Sequence, residues 1–246
     1  MLRNVDAFIA PASHVVLYML SASYHHILQR MHDACVTSGR DPQSVRLLLA
    51  TKTVSPAVLR DVHALGAHLF GENRVQEALP KYEALRDANA EWHFIGHLQT
   101  NKVKDALSFA TCVQSVDRPS LITALQQEAA KRNIVLDVMV EVNTSGEGSK
   151  AGCDPHDVDS ILAALSLTPN LYVTGFMTIG ANTEDEPTVR ACFALLRSIR
   201  DTAIAGGRVP ATAVELSMGM SGDLEWAIAE GSTMVRVGSA VFGDRM

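Results

Sequence analysis

From residue 46 onward, short apolar runs alternate with longer stretches of helical spacing. The apolar runs 46–51, 67–71, 92–96, 112–116, 136–143, 172–179, 214–218 and 234–237 have the length of buried strands. Between them, 56–65, 75–87, 101–109, 120–132, 155–165, 188–205 and 223–230 place apolar residues three and four apart, as helices do. Helix starts are marked: Asp154-Pro155 pairs an N-cap with proline at the first helical position, and Asp117-Arg118-Pro119 is a looser version. About eight strand-then-helix units predict an α/β fold, a single TIM-type (β/α)8 barrel with an extra N-terminal helix. A doubly wound open sheet is the alternative, but the G-x-G-x-x-G expected after its first strand is absent.

The first 20 residues break this rhythm. They are apolar but interrupted by Asp6, Pro11 and His14, too short and broken to span a bilayer. Val15 to Leu20 resembles a signal-peptide core weakly, without a positive leading region. Residues 1–20 are therefore expected to be an extension of uncertain order, or to precede a true start at Met19, with the barrel occupying 21–246. A helix is predicted over 23–38, with Ile27, Leu28, Met31, Ala34 and Cys35 on one face.

A net charge of -6 and the lack of any basic run argue against a nucleic-acid partner. Cys35, Cys112, Cys153 and Cys192 lie far apart, so neither a metal site nor a disulfide framework is expected, and free thiols suit the cytoplasm. Nine histidines include no metal-ligand spacing. No outstanding apolar helix face is seen, and a monomer is the default expectation.

In a barrel, functional residues gather at the C-terminal ends of the strands. Lys52, Glu72-Asn73, His97, Gln99, Asn101, Ser115, Asp117, Asn143, Thr144, Ser145, Ser217 and Arg236 all fall there. Taken singly, each is also what an ordinary strand-to-loop transition contains. Gly219-Met220-Ser221-Gly222 after one strand and Gly238-Ser239 after the next leave backbone N–H groups uncovered next to helix starts, which suits a phosphate. The same glycines would serve a plain strand–helix–strand connection. Arg236 interrupts an apolar strand, and a buried charge needs a partner.

Lys52 is either a solvated flanking lysine or a nucleophile whose pKa falls as the apolar mouth strips its charge of water. Across the mouth, a phosphate site would hold an aldehyde cofactor against it. Pyridoxal 5′-phosphate carries both an aldehyde and a phosphate. Arg236 would lie beside its pyridine nitrogen, and as a donor-only cation would leave that nitrogen unprotonated and the ring a weak electron sink.

The stretches LLLATKT, FGENRVQE, WHFIGHLQTNK, VNTSGEGSKAG, GFMTIG, LSMGMSGD and GSTMVRVGSAVFG resemble the pyridoxal phosphate homeostasis proteins, single-domain relatives of the alanine racemase barrel. The resemblance runs from about Ser21 to Phe242. It implies Lys52 as the Schiff-base lysine and Arg236 facing the pyridine nitrogen. It further implies Asn73 near the cofactor, Ser217, Ser221, Gly238 and Ser239 on the phosphate, and Met177 and Met218 along the ring. The lysine motif of the family often reads V-S-K-T, where this chain has Thr51 for the serine. The family implies vitamin B6 homeostasis without established turnover, with PLP-dependent apo-enzymes as possible partners.

A racemase is the alternative. Two-base racemisation needs a second acid–base group opposite the lysine, a tyrosine that alanine racemase draws from another domain. The sequence ends at Met246, just after the last predicted strand, so no such domain is expected. Tyr18, Tyr24, Tyr82 and Tyr172 all fall away from strand C-terminal ends. Buffering or carriage of the cofactor, with no catalytic residue, is the favoured expectation.

Overall fold

The alternation seen in the sequence closes into a ring. In a computed structural model, which describes residues 12–243, eight parallel strands form a closed barrel in sequence order, with β1 paired to β8. The strands are β1 (Arg46–Ala50), β2 (Leu69–Glu72), β3 (Glu91–Phe94), β4 (Cys112–Val116), β5 (Leu136–Glu141), β6 (Leu171–Met177), β7 (Glu215–Ser217) and β8 (Met234–Val237). The helices are α1 (Ala12–Thr37), α2 (Pro56–Ala64), α3 (Val75–Ala84), α4 (Val103–Ala106), α5 (Pro119–Arg132), α6 (Val158–Leu165), α7 (Glu186–Ala205), α8 (Leu224–Ala229) and α9 (Ser239–Phe242). Every predicted strand is present, within a few residues of its expected bounds. The predicted helix over 101–109 is a 3-10 turn, Thr100–Lys102, followed by the single turn of α4. The four-residue α9 has too little sequence period to be read in advance.

Strand alternation makes two cores. Outward residues such as Phe70, Trp92, Phe94 and Phe176 pack with helix residues Leu59, Leu121, Leu125 and Phe193 in the main core. Burying each such side chain stabilises the fold by about 1.5–3 kcal/mol. Inward residues Leu48, Leu69, Cys112, Met139, Met177 and Met234 form a smaller cluster inside the barrel. Polar residues His93, Gln114, Glu141, Ser217 and Arg236 are buried on the strands around this cluster.

Helix α1 is longer than expected. It runs unbroken through residue 20, so the expected boundary there falls within a helix, and the first 11 residues lie outside the described ones. Leu20, Tyr24, Ile27, Met31, Ala34 and Cys35 form its buried stripe, whereas Val16, Leu17, Tyr18 and Met19 are exposed. The helix packs on α8, α9 and α2. It thereby fills the outer-ring position that follows β8, where the chain's own α9 is too short to cover the sheet. Among the described residues, no helix is long and apolar enough to cross a membrane, and no cluster of side chains is arranged for a metal ion.

Candidate functional site

Lys52 and the glycine turns stand on one rim. Leu49 pairs with Val237 across β1 and β8, and a Cβ added to Gly238 would lie 3.0 Å from the Ala50 carbonyl. Lys52 follows Ala50 by two residues. The turns therefore lie beside the lysine's own strand, not across the opening as expected: β8 is the neighbour of β1 and β7 the next strand along. Lys52 is also exposed. The apolar enclosure expected to strip its charge of water is absent, because the strand ends at Ala50 and carries the lysine clear of the inner cluster. The next residue, Thr53, has φ 65°, a left-handed conformation that costs a β-branched residue about 1–3 kcal/mol and needs anchoring.

The turn after β7 is shaped by Gly219. Its φ is 93°, and a Cβ there would lie 2.4 Å from that of Ala227, so only glycine fits. Met220 N–H donates to Asp223 Oδ1 at 2.5 Å, and Asp223 N–H donates to the Met220 carbonyl at 3.2 Å. Neither Ser221 nor Gly222 commits its N–H to a backbone carbonyl in this turn. Gly238 and Ser239 likewise offer theirs at the start of α9, where Val241 and Phe242 donate back to the Gly238 carbonyl. Because α8 and α9 are one or two turns long, local N–H groups rather than helix dipoles give this cup its positive character. Arg30 of α1 holds the cup from outside, donating to Glu225 at 2.7 and 2.9 Å and to the Ser221 carbonyl at 3.0 Å.

Arg236 is buried inside the barrel and finds its partners there. Nη1 donates to the Ser217 carbonyl at 2.6 Å and hydroxyl at 2.8 Å, and Nη2 to the Thr178 carbonyl at 2.8 Å. Burial lowers its pKa to about 10, with Glu141 and Asp223 opposing the shift, so it stays cationic at neutral pH. Nε makes no hydrogen bond and is not among the sealed, unpartnered atoms, so a donor remains accessible. Glu141 faces it from β5: burial, then Asp117, push this carboxyl up to about 7, with Arg236 pulling the other way.

A polar chain runs on from Arg236 through the barrel. Ser217 Oγ donates to Gln114 Oε1 at 2.6 Å, across from β7 to β4. Gln114 Nε2 donates to His93 Nδ1 at 2.6 Å, so His93 Nε2 carries the hydrogen that meets Glu91 Oε1 at 2.7 Å. Arg46 closes the far end on Glu91 at 3.2 Å. The His93 hydrogen bond holds the Glu91 carboxyl below its ordinary range, and Arg46 adds to this. The inner cluster is thus threaded by a hydrogen-bonded line from the mouth to the opposite face.

The remaining expected residues divide. Met177 lies in the inner cluster and Asn73 is exposed at the end of β2. Met218 differs from expectation: it is fully buried in the outer core, because Ser217 takes the inward position and alternation turns the next side chain away. Glu72, expected at the rim with Asn73, is buried there, and Gln114, His93, Glu141 and Lys81 are further buried polar groups of the barrel and its rim that the sequence reading does not reach. The signal for His93, Gln114 and Glu141 is the one that marks Arg236, a polar residue within an apolar strand, in EWHF, CVQSV and LDVMVE, whereas Lys81 lies on α3 and carries no such mark.

Residues 48–246 match the family described as "Alanine racemase, N-terminal domain". The pyridoxal phosphate homeostasis protein of Aquifex aeolicus is 45% identical over 89% of this chain and 95% of its own. That of Pseudomonas aeruginosa is 41% identical over 89% and 93%. Among solved structures, an unknown protein from Bifidobacterium adolescentis aligns with TM-score 0.87 at 36% identity, covering 98% of this chain and 100% of that one. PipY of Synechococcus elongatus with PLP bound aligns with TM-score 0.76 at 32% identity, covering 88% and 100%. Alanine racemase of Corynebacterium glutamicum, at 18% identity and TM-score 0.66, shares the fold.

Proposed function

Because the chain belongs to the pyridoxal phosphate homeostasis protein family, we propose that it binds pyridoxal 5′-phosphate and buffers or carries it within the cell. One observation carries this reading: an amine, a ring of uncommitted N–H groups and a buried donor-only cation share one end of one barrel. The residues present fit the group. The cup at Ser221, Gly238 and Ser239, with Gly222 added, suits a phosphate, whereas Ser217, expected there too, is fully buried with its hydroxyl bonded to Gln114 and Arg236; the accessible Nε of Arg236 suits an unprotonated ring nitrogen. The cofactor supplies an aldehyde that condenses with amines.

Each side chain has a definable task. Lys52 would present the primary amine with which such an aldehyde condenses, a C=N bond replacing the C=O bond with loss of one water. Arg236, fixed by Ser217 and Thr178, can donate to the ring nitrogen but offers it no proton to keep. A carboxylate there would hold the nitrogen protonated and strengthen the ring as an electron sink. Met177 offers an apolar surface below the opening. Asn73 stands at the rim beside them.

Storage rather than turnover is the reading we favour over a racemase. Tyr24 is buried on α1, Tyr82 lies on α3, Tyr172 hydrogen-bonds Thr212 at the start of β6, and Tyr18 is exposed on α1. Among the described residues, no tyrosine stands opposite Lys52 to act as the second base. Four buried free thiols suit a reducing cytoplasm. Apo-enzymes that need the cofactor are the partners this role implies, and a monomer suffices for it.

Incubation with pyridoxal phosphate followed by borohydride tests the reading. A single adduct on Lys52 by peptide mass spectrometry is expected. A protein that takes up no cofactor, or carries it on another lysine, would overturn it. Deuterium incorporation at Cα of alanine faster than free cofactor supports would restore the racemase.

A further inference from the structure

Lys52 hangs from a turn whose two flanking peptide groups are both held by one helix. The segment GENRVQEALPK, residues 71–81, leaves β2 at Glu72 and enters α3 at Val75. Glu77 lies in the first turn of α3, where a carboxylate is favoured. Its Oε2 accepts from the Thr53 backbone N–H at 3.1 Å, while Arg74 steadies Oε1 at 3.3 Å. One turn on, on the same helix face, buried Lys81 donates to the Thr51 carbonyl at 2.5 Å and to Glu72 Oε1 at 2.6 Å. Thr51 Oγ1 donates to the same Glu72 oxygen.

The pair Glu72–Lys81 is poorly explained by stability. Both groups are almost fully buried, and Glu72 Oε2 has no partner. Burial drives the Glu72 carboxyl upward against the pull of Lys81 and Thr51. Apolar residues of the same volume would serve the core as well or better. What apolar residues could not do is grip a carbonyl. Glu77 makes the same point from the other side, since its grip on the Thr53 N–H anchors a left-handed threonine. The carbonyl before Lys52 and the N–H after it are thus fixed, while the lysine side chain itself is exposed.

We infer that Glu77 and the Glu72–Lys81 pair are positioning residues for Lys52, setting where its amine meets an aldehyde rather than how tightly the phosphate is held. The inference rests on the cofactor reading above and adds the device that aims the amine. Pre-set placement of a nucleophile raises covalent attachment without changing noncovalent affinity.

The test separates those two quantities. Glu77→Ala, Glu77→Gln and the neutral pair Glu72→Gln/Lys81→Met are each made with Lys52 intact and with Lys52→Ala. Pyridoxal phosphate bound in total is measured by equilibrium dialysis, and the covalent share by borohydride trapping and mass spectrometry. Glu77→Ala and the neutral pair are expected to lower the covalent share roughly tenfold, with affinity in the Lys52→Ala background changed less than about twofold. Glu77→Gln keeps an acceptor for Thr53 and is expected to restore most of the share. An unchanged covalent share in both Glu77→Ala and the neutral pair, or an equal loss of affinity in both backgrounds, would overturn the inference. A wild-type chain that binds no cofactor would overturn the parent reading along with it, and is recognised by that control alone.

Discussion

Arg236 and Ser217 are joined twice, through the carbonyl at 2.6 Å and the hydroxyl at 2.8 Å. The hydroxyl passes the contact on to Gln114. Ser217→Ala keeps the carbonyl bond but leaves Gln114 Oε1 without its donor in a sealed interior. The expected loss is about 2 kcal/mol, read as a fall of roughly 5 °C in Tm. A variant as stable as wild type would mean that the polar line through the barrel does not bind its members together.

Replacing Arg236 separates charge from geometry. Arg236→Glu sets a carboxylate against the Thr178 and Ser217 carbonyls with Glu141 nearby, so both carbonyl contacts become repulsive. A loss of more than about 4 kcal/mol and largely insoluble protein are expected. Arg236→Lys keeps the charge but cannot reach both carbonyls with one nitrogen, and about 2 kcal/mol should go. Urea unfolding measures both. Equal losses would show that charge alone matters at this position.

Much of this was legible in the sequence, for reasons that differ by residue. All eight strands announced themselves because a parallel barrel buries both strand faces, so RLLLA and its counterparts are nearly unbroken apolar runs. Lys52, Arg236 and the glycine turns could be placed on one rim by counting strands, since a barrel fixes which ends coincide. The count of eight units already predicts a closed barrel, and closure sets β8 beside β1; the expectation of a cup across the mouth overlooks that consequence, which makes the cup a neighbour of the lysine. Met218 falls one position from the expected ring-facing place, which in a strand is the whole distance between inside and outside. The Glu72–Lys81 and Ser217–Gln114 pairings join residues that share no periodicity, so letters alone do not reveal them.

Helix α1 extends its influence to the cup through Arg30. Its bonds to Glu225 and the Ser221 carbonyl are partly solvent-exposed, so Arg30→Ala should cost less than about 1 kcal/mol of stability. Its effect on binding should be larger and selective. Affinity for pyridoxal phosphate is expected to fall several-fold, about 1 kcal/mol and the net scale of one ordinary hydrogen bond, while affinity for pyridoxal, which lacks the phosphate, stays the same. Fluorescence titration with both ligands checks this. Parallel losses for the two would place the strut's effect elsewhere than the cup.

Glu141 should make stability depend on pH, with a definite sign. Its carboxyl is pushed from 4.5 up to about 7, chiefly by burial and secondarily by Asp117, despite Arg236. Below 4.5 it is protonated in the folded and unfolded chains alike, and its contribution is fully present. Between 4.5 and 7 the folded protein keeps a proton that the unfolded chain has released, so rising pH favours unfolding. Above 7 both states are ionised and the loss is complete, at most about 3 kcal/mol. Glu141→Gln cannot titrate, so subtracting wild-type stability from that of the variant isolates this one group. The difference should grow between pH 4.5 and 7 and then level off, when ΔG is followed by urea unfolding at a series of pH values. A difference independent of pH would mean that water reaches the carboxylate, and that Arg236 has no buried anion facing it from β5.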